Sequence, residues 1–254
     1  MDNKKKENKK IETKNKKIKK DKNEISKIEE RKFHNYLWYI IIFSIICFLI
    51  EVLLYFIPIG KNIGLTLSTL CPIYGISALL IFIYLSKYKG HVAKLFIYGA
   101  VLGTLIQYLV SFLLEGAFGV TFWDYSTIKF NLNGRICLYC SLFWGIVTVI
   151  SINLLQKPID GLISKMKGKA SKVIDIILTI LLSLSIIFTT WGIATYSIRT
   201  KETLNGKNYI SNNNFIEKFQ NTVFSNSIME KVFPNLRIVD NTGKFNLVKN
   251  INNQ

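Results

Sequence analysis

Charged residues are scarce in this chain, and acidic ones especially so. Only 19% of the 254 residues are charged, whereas 50% are hydrophobic, and the 16 acidic residues leave a formal net charge of +17. An ordinary soluble domain carries more charge and a disordered chain carries fewer apolar residues, so the composition excludes both descriptions for the whole chain. Basic and apolar residues must therefore occupy separate segments.

Further absences narrow the possible functions. No GxxxxGK[ST] loop is present, so the chain is not predicted to hydrolyse nucleotide in that way. Its two histidines, His34 and His91, both fall on the side that the lysines mark as cytoplasmic, and neither a metal site nor a cofactor is predicted. The apolar runs do not alternate with polar residues, which excludes barrel strands.

Apolar runs of at least 20 residues predict an all-α polytopic membrane protein with about five transmembrane helices. Roughly 20 apolar residues cross about 30 Å of hydrocarbon, and lipid favours helices because it offers the backbone no hydrogen-bond partners. The predicted spans are Leu37–Pro58, Gly64–Ser86, Leu95–Leu114, Ile136–Leu155 and Val173–Thr195.

Lysine and arginine predict the orientation. Residues 1–36 contain 14 basic residues, and the turns after the second and fourth spans are rich in lysine, so these segments are expected in the cytoplasm. The predicted organisation is a basic, disordered cytoplasmic tail (1–36), a transmembrane domain (37–195) and a small polar extracytoplasmic segment (196–254). In that last segment, Phe215–Phe233 predicts a short amphipathic helix and Leu236–Val248 two strands.

The basic tail does not predict a nucleic-acid partner. Lysine runs neutralise phosphates in nucleic-acid-binding proteins. This tail, however, mixes lysine with Glu and Asn and has no aromatic residue before Phe33. We interpret it as a solvated segment that determines topology and lies near anionic lipid.

Polar residues within the spans concentrate in their predicted outer halves and in the loop between spans three and four. Because such groups are costly in lipid, they predict either an outward-facing ligand cavity or an ion-pair lock between helices. Pro72 is expected to kink the second span near this cavity. The candidate residues are Glu51, Tyr74, Gln107, Glu115, Trp123, Asp124 and Arg135.

Two smaller patterns have both functional and ordinary interpretations. Cys137 and Cys140 form a CxxC near the predicted outer surface, which is typical of redox pairs, although cysteine is also a common small buried residue. Gly99 and Gly103 form a GxxxG in the third span, which favours close helix packing.

Three blocks of residues follow one another along the chain: Glu51; Cys71-Pro72-Ile73-Tyr74-Gly75; and Trp123-Asp124-Tyr125-Ser126 with Asn131, Gly134-Arg135-Ile136-Cys137 and Trp144-Gly145. In order and spacing they resemble the CmpB-like family of ABC-transporter type IV proteins from bacterial membranes over roughly residues 40–150. The chain departs from the family at Gln107, where the family has glutamate.

The resemblance implies a multi-pass transport protein of the bacterial plasma membrane, with no catalytic activity of its own. Its expected partners are the lipid bilayer, a separate cytoplasmic ATPase for which it would be the permease, and further copies of itself in a homo-oligomer. Two alternatives remain open: a non-transporting envelope scaffold or regulator, and a membrane-embedded thiol-redox or lipid-modifying enzyme.

Overall fold

The computed structural model describes residues 29–47, 49, 72–166, 168–205, 214–233, 236–239 and 245–248. The chain divides into two units, Met1–Trp38 and Tyr39–Gln254. The described residues of the first unit, 29–38, are helical. All other described residues belong to the second unit.

Helices account for 81% of the residues that the structure describes, and there is little sheet among them. The helices are α1 (residues 29–47), α2 (Pro72–Leu85), α3 (Val92–Phe118), α4 (Leu138–Ile150), α5 (Gln156–Lys165), α6 (Lys169–Leu204), α7 (Asn214–Val223) and α8 (Asn226–Val232). The strands are β1 (Val120–Thr121), β2 (Asn131–Leu132), β3 (Ile136–Cys137), β4 (Arg237–Val239) and β5 (Phe245–Leu247). A π-helical turn, Ser151–Leu155, joins α4 to α5.

Three helices within the described ranges are long and apolar enough to cross a membrane. They are α3 with 27 residues, the continuous helix Leu138–Lys165 with 28, and α6 with 36. At about 1.5 Å per residue, each exceeds the roughly 30 Å hydrocarbon layer. They correspond to predicted spans three, four and five. Large parts of predicted spans one and two lie outside the described residues, so the count of five stays a prediction.

Several predicted boundaries differ from the structure. The fourth span was expected from Ile136, but Ile136 and Cys137 form strand β3 and the helix begins at Leu138. Hydropathy alone does not distinguish a short buried strand from the start of a helix. The expected kink at Pro72 stays a prediction, because α2 is described only from Pro72 onwards.

Helices α1, α2 and α5 meet around Tyr39. Its ring lies 4.8 Å from that of Phe82 on α2, between ring centroids, and Phe43 adds a second contact to Phe82 at 5.0 Å. The Tyr39 hydroxyl donates a hydrogen bond to the Asp160 carboxylate of α5. These contacts bring α1 and α2 together with the helix that follows the π turn.

Helices α3 and α4 pack at very short distance because glycines line α3. A Cβ atom on Gly99 would lie 2.4 Å from Cβ of Thr148, and one on Gly103 would lie 2.5 Å from Cβ of Trp144. Neither contact is compatible with any larger residue at these positions. The packing role predicted for the GxxxG pattern is therefore confirmed.

The helices have two distinguishable ends. At the Arg135 end, α3 finishes, α4 begins and the last turns of α6 lie close by, since Ser197 Oγ donates to the Phe118 carbonyl at 2.6 Å. At the opposite end, which we call the lysine end, Gly90 N–H donates to Asn153 Oδ1 at 3.0 Å. Lys87, Lys94 and α5 belong to this second end.

A folded cap covers the Arg135 end; we define it as the loop 119–137 plus the described residues of 214–248. The two parts share a sheet of order β1-β4-β5, in which Val120 lies opposite Ile238. The two C-terminal strands predicted from the sequence are confirmed. The predicted single helix Phe215–Phe233 is instead two helices, α7 and α8, and Ser225 caps the second.

One apolar core holds the cap on α6. Ile193 and Tyr196 of α6, which are 4% and 1% exposed, pack with Val120 of the loop and with the C-terminal segment. The C-terminal members are Phe224, Met229, Phe233, Leu236, Ile238 and Val248. The segment expected to be a polar appendage thus contributes most of a buried core.

Replacing Gly99 by alanine tests the close packing of α3 against α4. The added Cβ would collide with Thr148, and we expect the free energy of unfolding to fall by about 1–3 kcal/mol. Thermal unfolding of the purified protein in detergent would measure the change.

Gly116→Ala on the same helix is the matched control, because no atom lies within 4 Å of a Cβ there. It should be neutral or gain roughly 0.5–1 kcal/mol, since alanine favours a helix. Equal effects of the two variants would show that α3 does not approach α4 as described.

Candidate functional site

Arg135 lies at the junction of the loop and α3, where its guanidinium group has three neighbours. Nη2 donates to Glu115 Oε2 at 2.5 Å, and Cζ lies 5.4 Å from the ring centre of Tyr108 and 5.8 Å from that of Phe112. The two charged side chains are only 13% and 25% exposed. An ion pair shielded to this degree is screened less than a surface pair, and the aromatic faces add cation–π attraction.

The backbone carbonyl of Arg135 is a second point of attachment. It accepts a hydrogen bond from Trp123 Nε1 at 2.8 Å and another from Gln107 Nε2 at 3.4 Å. Gln107 Oε1 in turn accepts from Trp144 Nε1 of α4 at 2.7 Å. One residue therefore connects the loop to α3 and, through Gln107, to α4.

The loop has its own internal hydrogen bonds, which make its shape specific. Asn131 Nδ2 donates to the Ile128 carbonyl at 2.7 Å, while Asn131 Oδ1 accepts from Gly134 N–H at 3.0 Å. Gly134 has a φ of +67°, a conformation that glycine adopts at little cost, and its carbonyl accepts from Tyr125 N–H at 2.8 Å. These bonds present Arg135 towards α3.

Asp124 is bound from two directions. One carboxylate oxygen accepts from Ser126 N–H at 2.9 Å, and the other pairs with the guanidinium of Arg237 on β4. The Asp124 side chain is 10% exposed. The sequence predicts that this carboxylate lies with Arg135, but in the structure its cation comes from the C-terminal segment, 113 residues away.

The structure brings most of the predicted site residues together. Gln107, Glu115 and Trp123 each contact Arg135 directly, and Asp124 adjoins Trp123 in the same loop. Tyr74 lies half-buried on α2. Glu51 lies outside the described residues, so its place in the site stays a prediction.

The CxxC pair lies beside this group. Cys137 precedes α4 and Cys140 belongs to its first turn, and their sulfur atoms are 3.1 Å apart. Within the described ranges, no group of three or more His, Cys, Asp or Glu side chains is arranged to hold a metal ion.

Some contacting residues were not singled out as candidates from the sequence. The Arg135 guanidinium lies over the ring of Tyr108, and the Tyr108 hydroxyl accepts a hydrogen bond from Asn133 Nδ2 at 2.9 Å. Tyr125 contacts Cys140 and Gln107, and burial, followed by the neighbouring Cys140, raises its pKa well above the usual range. The phenol therefore stays protonated. Both tyrosines are adjacent to candidate residues, and Tyr125 also belongs to one of the three family blocks; these signals could have identified them.

A family model with the description Putative ABC-transporter type IV matches residues 38–190. The chain belongs to this family. No curated protein matches the chain, and no solved structure matches it either. The resemblance inferred from the three blocks is thus confirmed, and with several long apolar helices it identifies a membrane protein of a transport-related family.

The ABC-transporter type IV match covers α2 to α5, the whole loop and α6 as far as residue 190. It therefore includes Arg135 and all of its contacts described above. Arg237 lies beyond the matched residues. The pairing of Asp124 with Arg237 consequently joins a part of the chain inside the family match to one outside it.

A double-mutant cycle distinguishes a structural ion pair from two independent charges. We expect Arg135→Gln to lower the free energy of unfolding by about 1–3 kcal/mol, because Glu115 would lose its charged partner beside two aromatic rings. The further change Glu115→Gln should restore part of that loss. Chemical unfolding of the single and double variants would measure the coupling.

Lys129→Gln is the control, because Lys129 is exposed in the same loop. It should leave stability within about 0.5 kcal/mol of the unchanged protein. Additive effects of the two substitutions at Arg135 and Glu115 would contradict the coupling.

Proposed function

We propose that this chain is the membrane-spanning permease subunit of an ATP-driven transporter in a bacterial plasma membrane. A separate cytoplasmic ATPase supplies the energy. The observation that carries the proposal is the family match over residues 38–190, which contains two complete membrane-length helices and much of a third. The proposal adopts the predicted orientation, with the lysine end in the cytoplasm.

Helix α5 is the proposed docking element for the ATPase. It continues the fourth span past the π turn and buries Ile159 and Ile163 against the rest of the chain. Lys157 and Lys165 are exposed on its other side, together with Leu162, which is 47% exposed. A short helix with an anchored apolar face and an exposed basic face suits an acidic groove on a partner.

The group around Arg135 is the proposed ligand site on the outer side. It combines a guanidinium, a carboxylate and aromatic rings, and Glu115 remains 25% exposed. Arg135 Nε is buried without a hydrogen-bond partner, so the guanidinium keeps a donor that a ligand could use. A cationic group of a ligand would replace Arg135 at Glu115, and an anionic group would replace Glu115 at Arg135; a zwitterionic ligand would do both. The ion pair would then join the loop to α3 when no ligand is bound and bind the ligand when one is present. Glu51 and Tyr74 belong to the proposed site as well.

Affinity purification from native membranes in mild detergent tests the permease proposal. We expect a nucleotide-binding ATPase to purify with the tagged chain. Reversing both charges in Lys157→Glu/Lys165→Glu should lower its recovery by about tenfold, the change that 1.4 kcal/mol produces. Quantitative mass spectrometry of the purified material would measure the ratio.

Lys129→Glu, which changes one exposed charge in the loop, should not affect recovery of the ATPase. Absence of any ATPase from the unchanged chain would contradict the permease proposal. If the charge-reversed variant recovers as much ATPase as the unchanged chain, docking through α5 is contradicted, but the permease proposal is not.

A scaffold or regulatory role in the envelope is the second candidate, and the folded cap favours it. Phe215 and Ile216 of α7 are 78% and 40% exposed, although the cap buries other apolar residues against α6. Such exposed apolar residues suit contact with an envelope protein.

The scaffold candidate predicts that an envelope protein purifies with the chain and that Phe215→Ser/Ile216→Ser removes it. Neither residue belongs to the buried core of the cap. Lys218→Ser on the same helix is the control, because Lys218 is also exposed. Unchanged recovery of that protein with the double variant would contradict this role.

A further inference from the structure

The fold holds two thiols in contact at the start of a helix. Strand β3 ends at Cys137, whose backbone is extended with φ −131° and ψ 165°, and α4 begins at the next residue. Cys140 therefore lies one turn further on, and the two sulfur atoms are 3.1 Å apart. The β2–β3 pairing, with Asn131 opposite Cys137, fixes the strand that carries the first thiol.

The two thiols differ in accessibility. Cys137 is 3% exposed, whereas Cys140 is half-buried. A reagent can therefore reach the Cys140 sulfur more easily than the buried Cys137 sulfur.

Tyr125 contributes the third group of this arrangement. Its hydroxyl contacts both Cys140 and Gln107, so it connects the thiols to the residues around Arg135. Because the phenol stays protonated, it can donate a hydrogen bond to sulfur. A cysteine that serves only as a small packing residue does not require a hydrogen-bond donor such as the Tyr125 hydroxyl.

We propose that Cys137 and Cys140 form a reversible disulfide by exchange with an external disulfide. The Cys140 thiolate attacks one sulfur of the external disulfide, a mixed disulfide forms and the first external thiolate leaves. The Cys137 thiolate then attacks the Cys140 sulfur, and the second external thiolate leaves. The two cysteines are oxidised by two electrons, and the external disulfide is reduced to two thiols, which take up the two protons.

This disulfide is independent of the permease proposal, because it rests on the geometry of residues 125–140 alone. Its formation would tie the end of β3 to the first turn of α4. Arg135 lies two residues before Cys137, so the bond would restrain the backbone next to the group that holds Glu115. An external reductant would release it.

Thiol labelling in membranes tests the proposal. In a Cys47→Ser/Cys71→Ser background only the pair remains of the four cysteines. After incubation with oxidised glutathione and denaturation, a maleimide-polyethylene glycol reagent should add to neither thiol. Subsequent reduction with dithiothreitol should restore addition to both. The intact mass of the oxidised chain should fall by two hydrogens.

Cys137→Ser in the same background is the matched control, since Cys140 alone can form only a mixed disulfide with glutathione. Labelling of both thiols after oxidation would overturn the proposal. A mass increase corresponding to glutathione on each cysteine would overturn it too, because it would show that the fold does not bring the sulfurs together.

Discussion

The close approach of α3 to α4 is the constraint on which the rest of the described structure depends. Without side chains at Gly99 and Gly103, Thr148 and Trp144 rest directly against the α3 backbone. That distance lets Trp144 reach Gln107, and Gln107 reach the carbonyl of Arg135. A wider separation of the helices would break this chain of contacts at its first step, and Arg135 would lose part of its attachment to the membrane-spanning region.

The cap depends on that attachment and on α6. The loop binds α3 and α4 through Arg135, whereas the C-terminal segment packs on Ile193 and Tyr196 of α6. Strand pairing between β1 and β4 and the Asp124–Arg237 ion pair then join the two parts of the cap. The carboxylates of Glu115 and Asp124, which would be costly near lipid, are thus each paired with an arginine from another part of the chain. Buried charges are normally tolerated in this way.

Much of this fold was predictable from the sequence, since hydropathy reports directly on burial in lipid. The predicted spans at Leu95–Leu114 and Val173–Thr195 fall within α3 and α6, but both helices extend further because helical hydrogen bonding continues beyond the hydrocarbon layer. At the site, the loop residues were identified by their polarity. The Asp124–Arg237 pair was not predictable, because nothing local marks a partner 113 residues away. The same holds for the pairing of β1 with β4, which depends on where α6 ends.

The central claim is that the loop and the C-terminal segment form one cooperative unit at the Arg135 end. Amide hydrogen exchange of the protein in detergent micelles tests it most directly, with Tyr125 and Val239 as reporters, since these amides donate to the carbonyls of Gly134 and Gly119. In the Arg237→Gln variant, Asp124 loses its ion pair, and both amides should lose protection together. Faster exchange at Val239 with unchanged protection at Tyr125 would contradict the claim and show that the two parts fold separately.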